Sequence, residues 1–511
     1  MSTCHVRSGA ITFYNSRQYQ STLEEKEPFY PQVSPSHQIQ LFMYSPVHRI
    51  AVTAASTRMQ LREYGDENPD LSSHQPVTPS TPQPAPVNTA TSTTTLHDQD
   101  LVDVMAELER CQVDRRAAFA FNMAKGGRIH PLNDDELKQF RKEKGGVFGS
   151  STWDTPTLST ELPFTFTSLP SPAAVEKAIK SDIGGENHFR FAPSRGSPDD
   201  DALAIMRLLD NIGNARYSEP GTVVHMQSPT FNRKRRWIPG WDGDGMLGQS
   251  DFLLTIAPAG EVFELEYHDH HFSTTLLTGS KVWLTFPPLQ ANLDLIRKAY
   301  GDMHAANTSR VALDVLAVMQ HGIFIIQKPG QTLLFPPFWS VMTFCTKTST
   351  SCGFSLATAA QYMYRIKNMD HWLTANLFWD TGEDQQMHLE EFAAELATHF
   401  SLIMTGDFKR FKVANVQNAI CSEWIKTATK NNPNVENMKE KIGALLSLID
   451  NEEEREKIDD AFRVAWIEFI QLKRKKKPEC RLCHMRIDHM PAGETPDDRL
   501  ARHVTDVHCD F

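Results

Sequence analysis

Between about Gly221 and Arg365 the chain runs as short blocks rich in Val, Ile, Phe, Thr and Leu. They read TVVHM, DFLLTIAP, VFELEY, STTLLTG, KVWLTFPP, GIFIIQKPG, TLLFPP, SVMTFCT and CGFSLATA, and Gly, Pro or Asp stands between them. Short β-branched and aromatic runs bounded by turn formers predict strands, and many in series predict a sandwich or barrel. Helical spacing flanks this stretch on both sides. Leu101, Val104, Met105, Leu108 and Cys111 recur as one face of an amphipathic helix, Pro172 to Lys180 predicts another, and Leu203, Ile205, Met206, Leu208 and Leu209 line a third over Ala202 to Ile212. Gly126 to Thr165 is polar and glycine-punctuated, which predicts irregular chain. From Gln361 to Gln471 the pattern is helical again, most clearly over Leu389 to Thr405 and Asn437 to Asp450.

Composition adds a boundary at the front. Residues 66 to 95 are dominated by Ser, Thr and Pro with almost no large apolar side chains, so they bury too little surface to offset the entropy of ordering. The expected plan is residues 1–100 largely disordered with this linker, 101–215 a mixed helical lead-in, 216–365 the barrel, 366–472 a helical region, and 473–511 a basic arm with a Cys/His module. A chain of 511 residues has room for two or three such domains. The net charge of −11 gives no overall attraction to nucleic acid, which leaves that role to local basic runs at Lys473 to Lys477 and Arg233 to Arg236. The second, with Phe231, Trp237 and Trp241 nearby, reads as a surface hairpin loop. No apolar run approaches the ~20 residues that span a bilayer, and Met1 to Ala10 lacks the apolar core of a signal peptide. An intracellular protein without membrane partners is the expectation.

The stretch VFELEYHDHHFSTTLLTGSKVWLTFPPLQANL (262–293), followed by IIQKPGQTLLFPPFWSVMTF (325–344), resembles the JmjC family, particularly lysine demethylases of the plant-homeodomain-finger branch. The resemblance covers under a third of the chain. It implies an α+β fold built on a double-stranded β-helix, the JmjC or cupin-like jelly roll, with flanking helices, a helical C-terminal region and a disordered N-terminal part. In that family a strand carrying His-x-Asp and a later histidine hold iron(II) as two imidazoles and a carboxylate, leaving positions open for 2-oxoglutarate and oxygen. Anchored on Phe263 and on Gly279, Ser280 and Lys281, the pattern sets Glu264 at the first histidine, Glu266 at the aspartate and Val341 at the distal histidine. Phe338 stands where the family has a turn glycine. Valine has no lone pair to give a metal, so the catalytic positions read as degenerate.

The cosubstrate positions are thinned in the same way. Lys281 matches the lysine that pairs with 2-oxoglutarate, whereas the hydroxyl positions carry Glu261 and Thr274, and a carboxylate near a dianion disfavours it. The substitutions count against both iron and 2-oxoglutarate. A shifted set is the alternative: positions 264, 266, 268 and 270 share one parity if the strand continues, so His268 and His270, or Glu266 with His268, could hold a metal in the barrel. Otherwise His268 to His271 is a polar strand end.

The tail carries Cys480-x2-Cys483 and His503-x4-His508, two tight pairs of the kind that hold tetrahedral zinc in a small module. The 19 residues between Cys483 and His503 exceed the ~12 of an ordinary finger. Thr495 is positioned to cap a helix over Pro496 to His508 on which Leu500, His503, Val504 and Val507 share a face. His484, His489 and Cys509 are alternative ligands, including a Cys480, Cys483, His503, Cys509 set. The basic run before the module reads as a nuclear-import signal, a phosphate-binding arm or a solvated helix end, and a neighbouring finger favours the first two.

Three functions compete. The leading one is a nuclear, chromatin-associated binding or scaffold protein whose JmjC-like barrel has lost its chemistry. An active iron and 2-oxoglutarate oxygenase with shifted ligands is the second. A DNA-binding regulator that reads nucleic acid through the finger and basic arm is the third.

Overall fold

The computed structural model describes residues 155–166, 168–184, 206–212, 223–236, 245–306, 313–377, 383–406, 413–426, 437–473, 479–486 and 493–509, with scattered positions between 102 and 131. The linker and the disorder expected over residues 1–100 lie outside these residues; of the expected helix at 101–111, residues 102, 103, 105–107, 109 and 110 are described, and they are helical.

The described chain is a mixture of helix and strand with one large, mainly antiparallel sheet. Its strands are β1 (His130–Pro131), β2 (Thr157–Ser159), β3 (Val224–Gln227), β4 (Met246–Gln249), β5 (Leu253–Ala257), β6 (Val262–Glu266), β7 (His271–Phe286), β8 (Ile323–Gln327), β9 (Thr332–Phe335) and β10 (Ser340–Thr358). β7 and β10 organise the rest. They pair antiparallel from Ser340 opposite Phe286 to Leu356 opposite His271. Along its other edge β10 takes β6, β5 and β4, while β7 takes β8 and β9. β3 extends the sheet beyond β5 and β2 beyond β9, and β1 joins β8 in parallel.

Two blocks that the sequence separates, STTLLTG and KVWLTFPP, are therefore one strand. Gly279 makes that possible: its φ is +87°, and a Cβ there would lie 2.4 Å from the carbonyl oxygen of Thr348. Glycine alone takes this conformation without steric cost, and it carries β7 past the shifted register of β10 between Cys345 and Ser351.

Alternation along β7 sends side chains to two different cores. Val282, Leu284 and Phe286 face a cluster with Leu293, Ile296 and Tyr300 of α3 (Gln290–Ala306), to which α4 (Leu313–Val318) adds Leu316. Trp283 turns the other way, toward Ile325, Leu333, Phe335, Trp339 and Val341. A third core joins β3, β5 and β10 to α1 (Pro172–Gly184) and to Leu208 and Leu209. Burying each such large side chain contributes roughly 1.5 to 3 kcal/mol before the entropy of ordering it.

The C-terminal helices are α5 (Tyr362–Lys367), α6 (Met369–Leu377), α7 (Glu383–Thr405), α8 (Val413–Trp424), α9 (Met438–Ser447), α10 (Glu452–Lys473) and α11 (Pro496–His503). Asn437 opens α9 with a reciprocal capping box to Glu440. Residues 473–511 read as a module apart, yet Cys480, Leu482, Leu500, Val504 and Cys509 lie in the same apolar cluster as Phe400, Trp424 and Trp466. No helix among the described residues is long and apolar enough to cross a membrane.

Three local expectations change. Gly126 to Thr165 is not wholly irregular, because β1 and β2 come from it; strands of two and three residues are too short to show a period. Helices α3 and α4 interrupt the run of strands between β7 and β8. Arg233 to Arg236 is not a hairpin: it leaves the one-turn helix α2 (Pro229–Asn232), and Arg235 bridges to Phe164.

Candidate metal centres

Strand pairing aligns the positions matched to the iron ligands. Val341 lies directly across from Glu266 on β6 and from Thr285 on β7, and residues directly opposite in a sheet share a face. The register slips between Val341 and Thr343, so Glu264 falls at the irregularity; its side chain is outside the described residues. Val341 is 1 % exposed and packs against Trp283, Phe335 and Trp339. Glu266 is 5 % exposed, and burial pushes its carboxyl up to about 8. His268 Nε2 lies 3.8 Å from its Oε1, and with Glu266 protonated the two are not an ion pair. Phe338, at the position that the JmjC resemblance matches to a glycine, takes a φ of +62°, a conformation that costs a bulky residue ~1 kcal/mol or more. Its ring is fully buried between Tyr267 and Tyr364.

Lys281 also points inward, 3 % exposed, with its ammonium donating to Ser351 Oγ at 2.8 Å. It sits 5.3 Å from the ring centre of Phe263 and 5.9 Å from that of Trp283, and burial pushes its pKa down. The neighbouring polar groups satisfy one another. Gln327 accepts from the Trp283 indole at 2.9 Å and donates to the carbonyl of Thr274 at 2.8 Å.

The shared parity of positions 264 to 270 does not carry through, because β6 ends at Glu266. His268 stacks on Phe272, 4.6 Å between ring centres. His270 instead enters a buried cluster with the helices. Its Nδ1 is 2.8 Å from Asp269 and its Nε2 2.7 Å from Glu395. Arg365 reaches Asp269 through Nε at 3.0 Å, Glu395 through Nη1 at 3.0 Å and His399 Nδ1 at 3.1 Å. Both nitrogens of His270 facing carboxylates define an imidazolium. Burial and Arg365 oppose that charge, but Asp269 and Glu395 hold its pKa up at about 9. For Asp269 burial is outweighed by Arg365 and His270, and its pKa falls to about 2. Burial keeps His399 neutral, at about 3.

The cluster therefore holds two cations and two carboxylates. Donor atoms of His270, Glu395 and His399 lie within 4.8 Å of one another, close enough to share a metal. The lone pairs are already engaged by Arg365 and by the second proton of His270. The residues of this centre fit a closed ion network better than a metal.

The C-terminal centre differs in kind. Cys480, Cys483, His503 and His508 present donor atoms within 4.8 Å of one another. Cys480 Sγ is 3.4 Å from His508 Nε2, and Cys483 Sγ is 3.2 Å from His503 Nε2. A tetrahedral zinc with Zn–S of ~2.3 Å and Zn–N of ~2.0 to 2.1 Å has S···N edges of ~3.5 Å, so the spacing fits. The chemistry fits too: burial pushes His508 down to about 4, which keeps it neutral and ready to ligate. Cys480 is pushed up to about 11 by burial, so its thiol gives up a proton only to a cation.

Local backbone explains the unusual His-x4-His spacing. At ~3.6 residues per turn, positions five apart on an α-helix point ~140° away from each other. Here Thr495 caps α11 with a capping box to Asp498, as its sequence position indicates. The helix then widens into a π turn over Val504–His508, closed by Cys509 N–H to Val504 O at 3.0 Å. That turn brings His508 inward beside His503 and rotates Val507 out to 53 % exposure, so Val507 does not share the buried face. His484 points to solvent against Glu479, Cys509 is buried outside the quartet, and His489 lies outside the described residues. A coordinating run of Cys and His was visible in the sequence; the Arg365, Glu395 and His399 partners of Asp269 and His270 were not. The one local signal for them is Glu395 and His399 four apart on α7.

No family model matches the chain, and no curated protein matches its sequence.

Proposed function

We propose that this chain is a catalytically silent relative of the JmjC oxygenases, with its sheet wound as a double-stranded β-helix. It acts by binding, as a chromatin-associated scaffold in the nucleus, and holds zinc at Cys480, Cys483, His503 and His508. The observation that carries the reading is Val341 opposite Glu266. Iron(II) in such a barrel needs two imidazoles and a carboxylate on one face; here the carboxylate position faces an isopropyl group packed among Trp283, Phe335 and Trp339. Internal pairing of Lys281 with Ser351 supports the same reading, since the lysine that would meet a dicarboxylate is already bonded. The basic run from Lys473 to Lys477 supports nuclear entry.

Direct DNA reading by the finger is less well supported. The first turn of α11 carries Asp497 and Asp498, and acidic groups there repel phosphates that a helix N-terminus otherwise attracts.

The test uses the full chain with iron(II), ascorbate and 2-oxoglutarate. Succinate should stay at the level of the protein-free control. Iron-dependent succinate that disappears in E266Q would instead establish an oxygenase whose ligands have shifted to Glu266 and His268.

A further inference from the structure

We infer that zinc at the C-terminal quartet closes the core of the whole helical unit, so that the Cys/His segment is an internal staple and not an outward-facing reader. The inference rests on zinc binding by the four residues proposed above and concerns what that zinc does.

The segment is turned inward at several points. Cys480, Leu482, Leu500, Val504 and Cys509 are all buried in the cluster that α7 to α10 share. The indole N–H of Trp424, at the end of α8, donates to the backbone carbonyl of the ligand His508 at 2.9 Å. Trp424 in turn packs on Trp466 of α10, 5.0 Å between ring centres, and on Phe400 of α7 at 5.7 Å. From the knuckle, Arg481 donates to Asn418 of α8 at 3.0 Å and lies 5.6 Å over the ring of Phe469 of α10. The bond from Trp424 to His508 and the contacts of Arg481 with α8 and α10 depend on where the two ligand pairs sit.

Leu482, Leu500 and Val504 pack each pair against the helices, but among the described residues no disulfide or other covalent link joins one pair to the other. The knuckle is a tight turn, with His484 N–H to Cys480 O at 2.8 Å and Cys480 N–H to Met485 O at 3.0 Å. The π turn is a winding that helices adopt rarely and mostly where function holds it. A metal bonded to Cys480 and Cys483 on one side and to His503 and His508 on the other supplies the missing constraint, and its binding energy becomes folding energy. Cys483 is exposed, so a chelator has access to the centre from solvent.

Hydrogen exchange of the full chain, zinc-loaded and after chelation, reads the difference segment by segment. Removing zinc should speed exchange of α8 and α10 by about tenfold or more while leaving β7 unchanged. His508→Ala should do the same without chelator, and His508→Cys, which restores a ligand, should keep both zinc and protection. Faster exchange confined to residues 479–509 would overturn the inference and leave zinc binding standing. A full chain that holds no zinc when supplied with it would remove the zinc reading itself, and the inference with it.

Discussion

Val341 and Glu266 face each other across neighbouring strands, and the pairing joins a fully packed aliphatic group to a buried carboxyl. Both stand where the proposed likeness to the JmjC oxygenases would put iron ligands. In an open active site the valine would line a cavity; here it is a member of a core with Trp283, Phe335 and Trp339.

Val341→Ala should therefore behave as a core truncation. It is expected to lower the unfolding free energy by about 2 kcal/mol in urea titrations, from lost burial and an incompletely filled void. Val464→Ala, at 51 % exposure on α10, should cost about 0.5 kcal/mol or less. Equal effects would place Val341 in open space.

Glu266 gives stability a pH dependence of definite sign. Its folded pKa of about 8 lies above the ordinary carboxyl value, so the native state holds a proton that the unfolded chain releases. Stability is lost as pH rises between the two values. Glu266→Gln should make little difference near pH 4 and stabilise the protein by roughly 2 to 4 kcal/mol at pH 8, measured as the urea midpoint at each pH. An unchanged or lower midpoint at pH 8 would show that the carboxylate has a cationic partner.

The ion network at Arg365 should resist substitution of single members. Arg365→Met leaves Asp269 and Glu395 buried without their guanidinium, which is expected to cost about 3 to 5 kcal/mol in thermal or urea unfolding. His270 adds a pH signature. Because its folded pKa of about 9 exceeds the unfolded value, its contribution is complete below about pH 6.5 and disappears as pH rises through 9. His270→Gln should flatten the loss of stability between pH 7 and pH 9.

Phe338 sets backbone strain against burial. Phe338→Gly relieves a left-handed φ worth ~1 kcal/mol or more but removes a ring packed on Tyr267 and Tyr364, worth about 3 to 5 kcal/mol. The net expectation is a less stable protein, by about 2 to 3 kcal/mol in urea unfolding. A more stable variant would mean that strain dominates at this turn.

Much of the sheet was legible because its strands are long enough to show β-branched blocks between Gly and Pro. The fusion of two blocks into β7 was not, since it depends on what Gly279 meets on β10. Helix α3 was hidden by the expectation that the barrel motif ran on through Gln290. In the C-terminal centre the two Cys and two His that cluster were readable from their spacing, beside His484, His489 and Cys509 as alternatives, whereas the inward turn of His508 and the outward turn of Val507 follow from π winding that no α-helical periodicity announces. The Arg365 network was the least readable feature. Its members are brought together from the turn between β6 and β7 and from helices α5 and α7 by tertiary packing, and each taken singly is an ordinary polar residue.

Metal content of the full chain, after exposure to iron(II) and zinc(II) under anaerobic conditions and removal of loosely held ions, tests the central claim most directly. The account predicts one zinc per chain, lost in Cys480→Ser, and no retained iron. One equivalent of iron that persists in Cys480→Ser would locate a working metal centre elsewhere, outside the C-terminal quartet, and would contradict it.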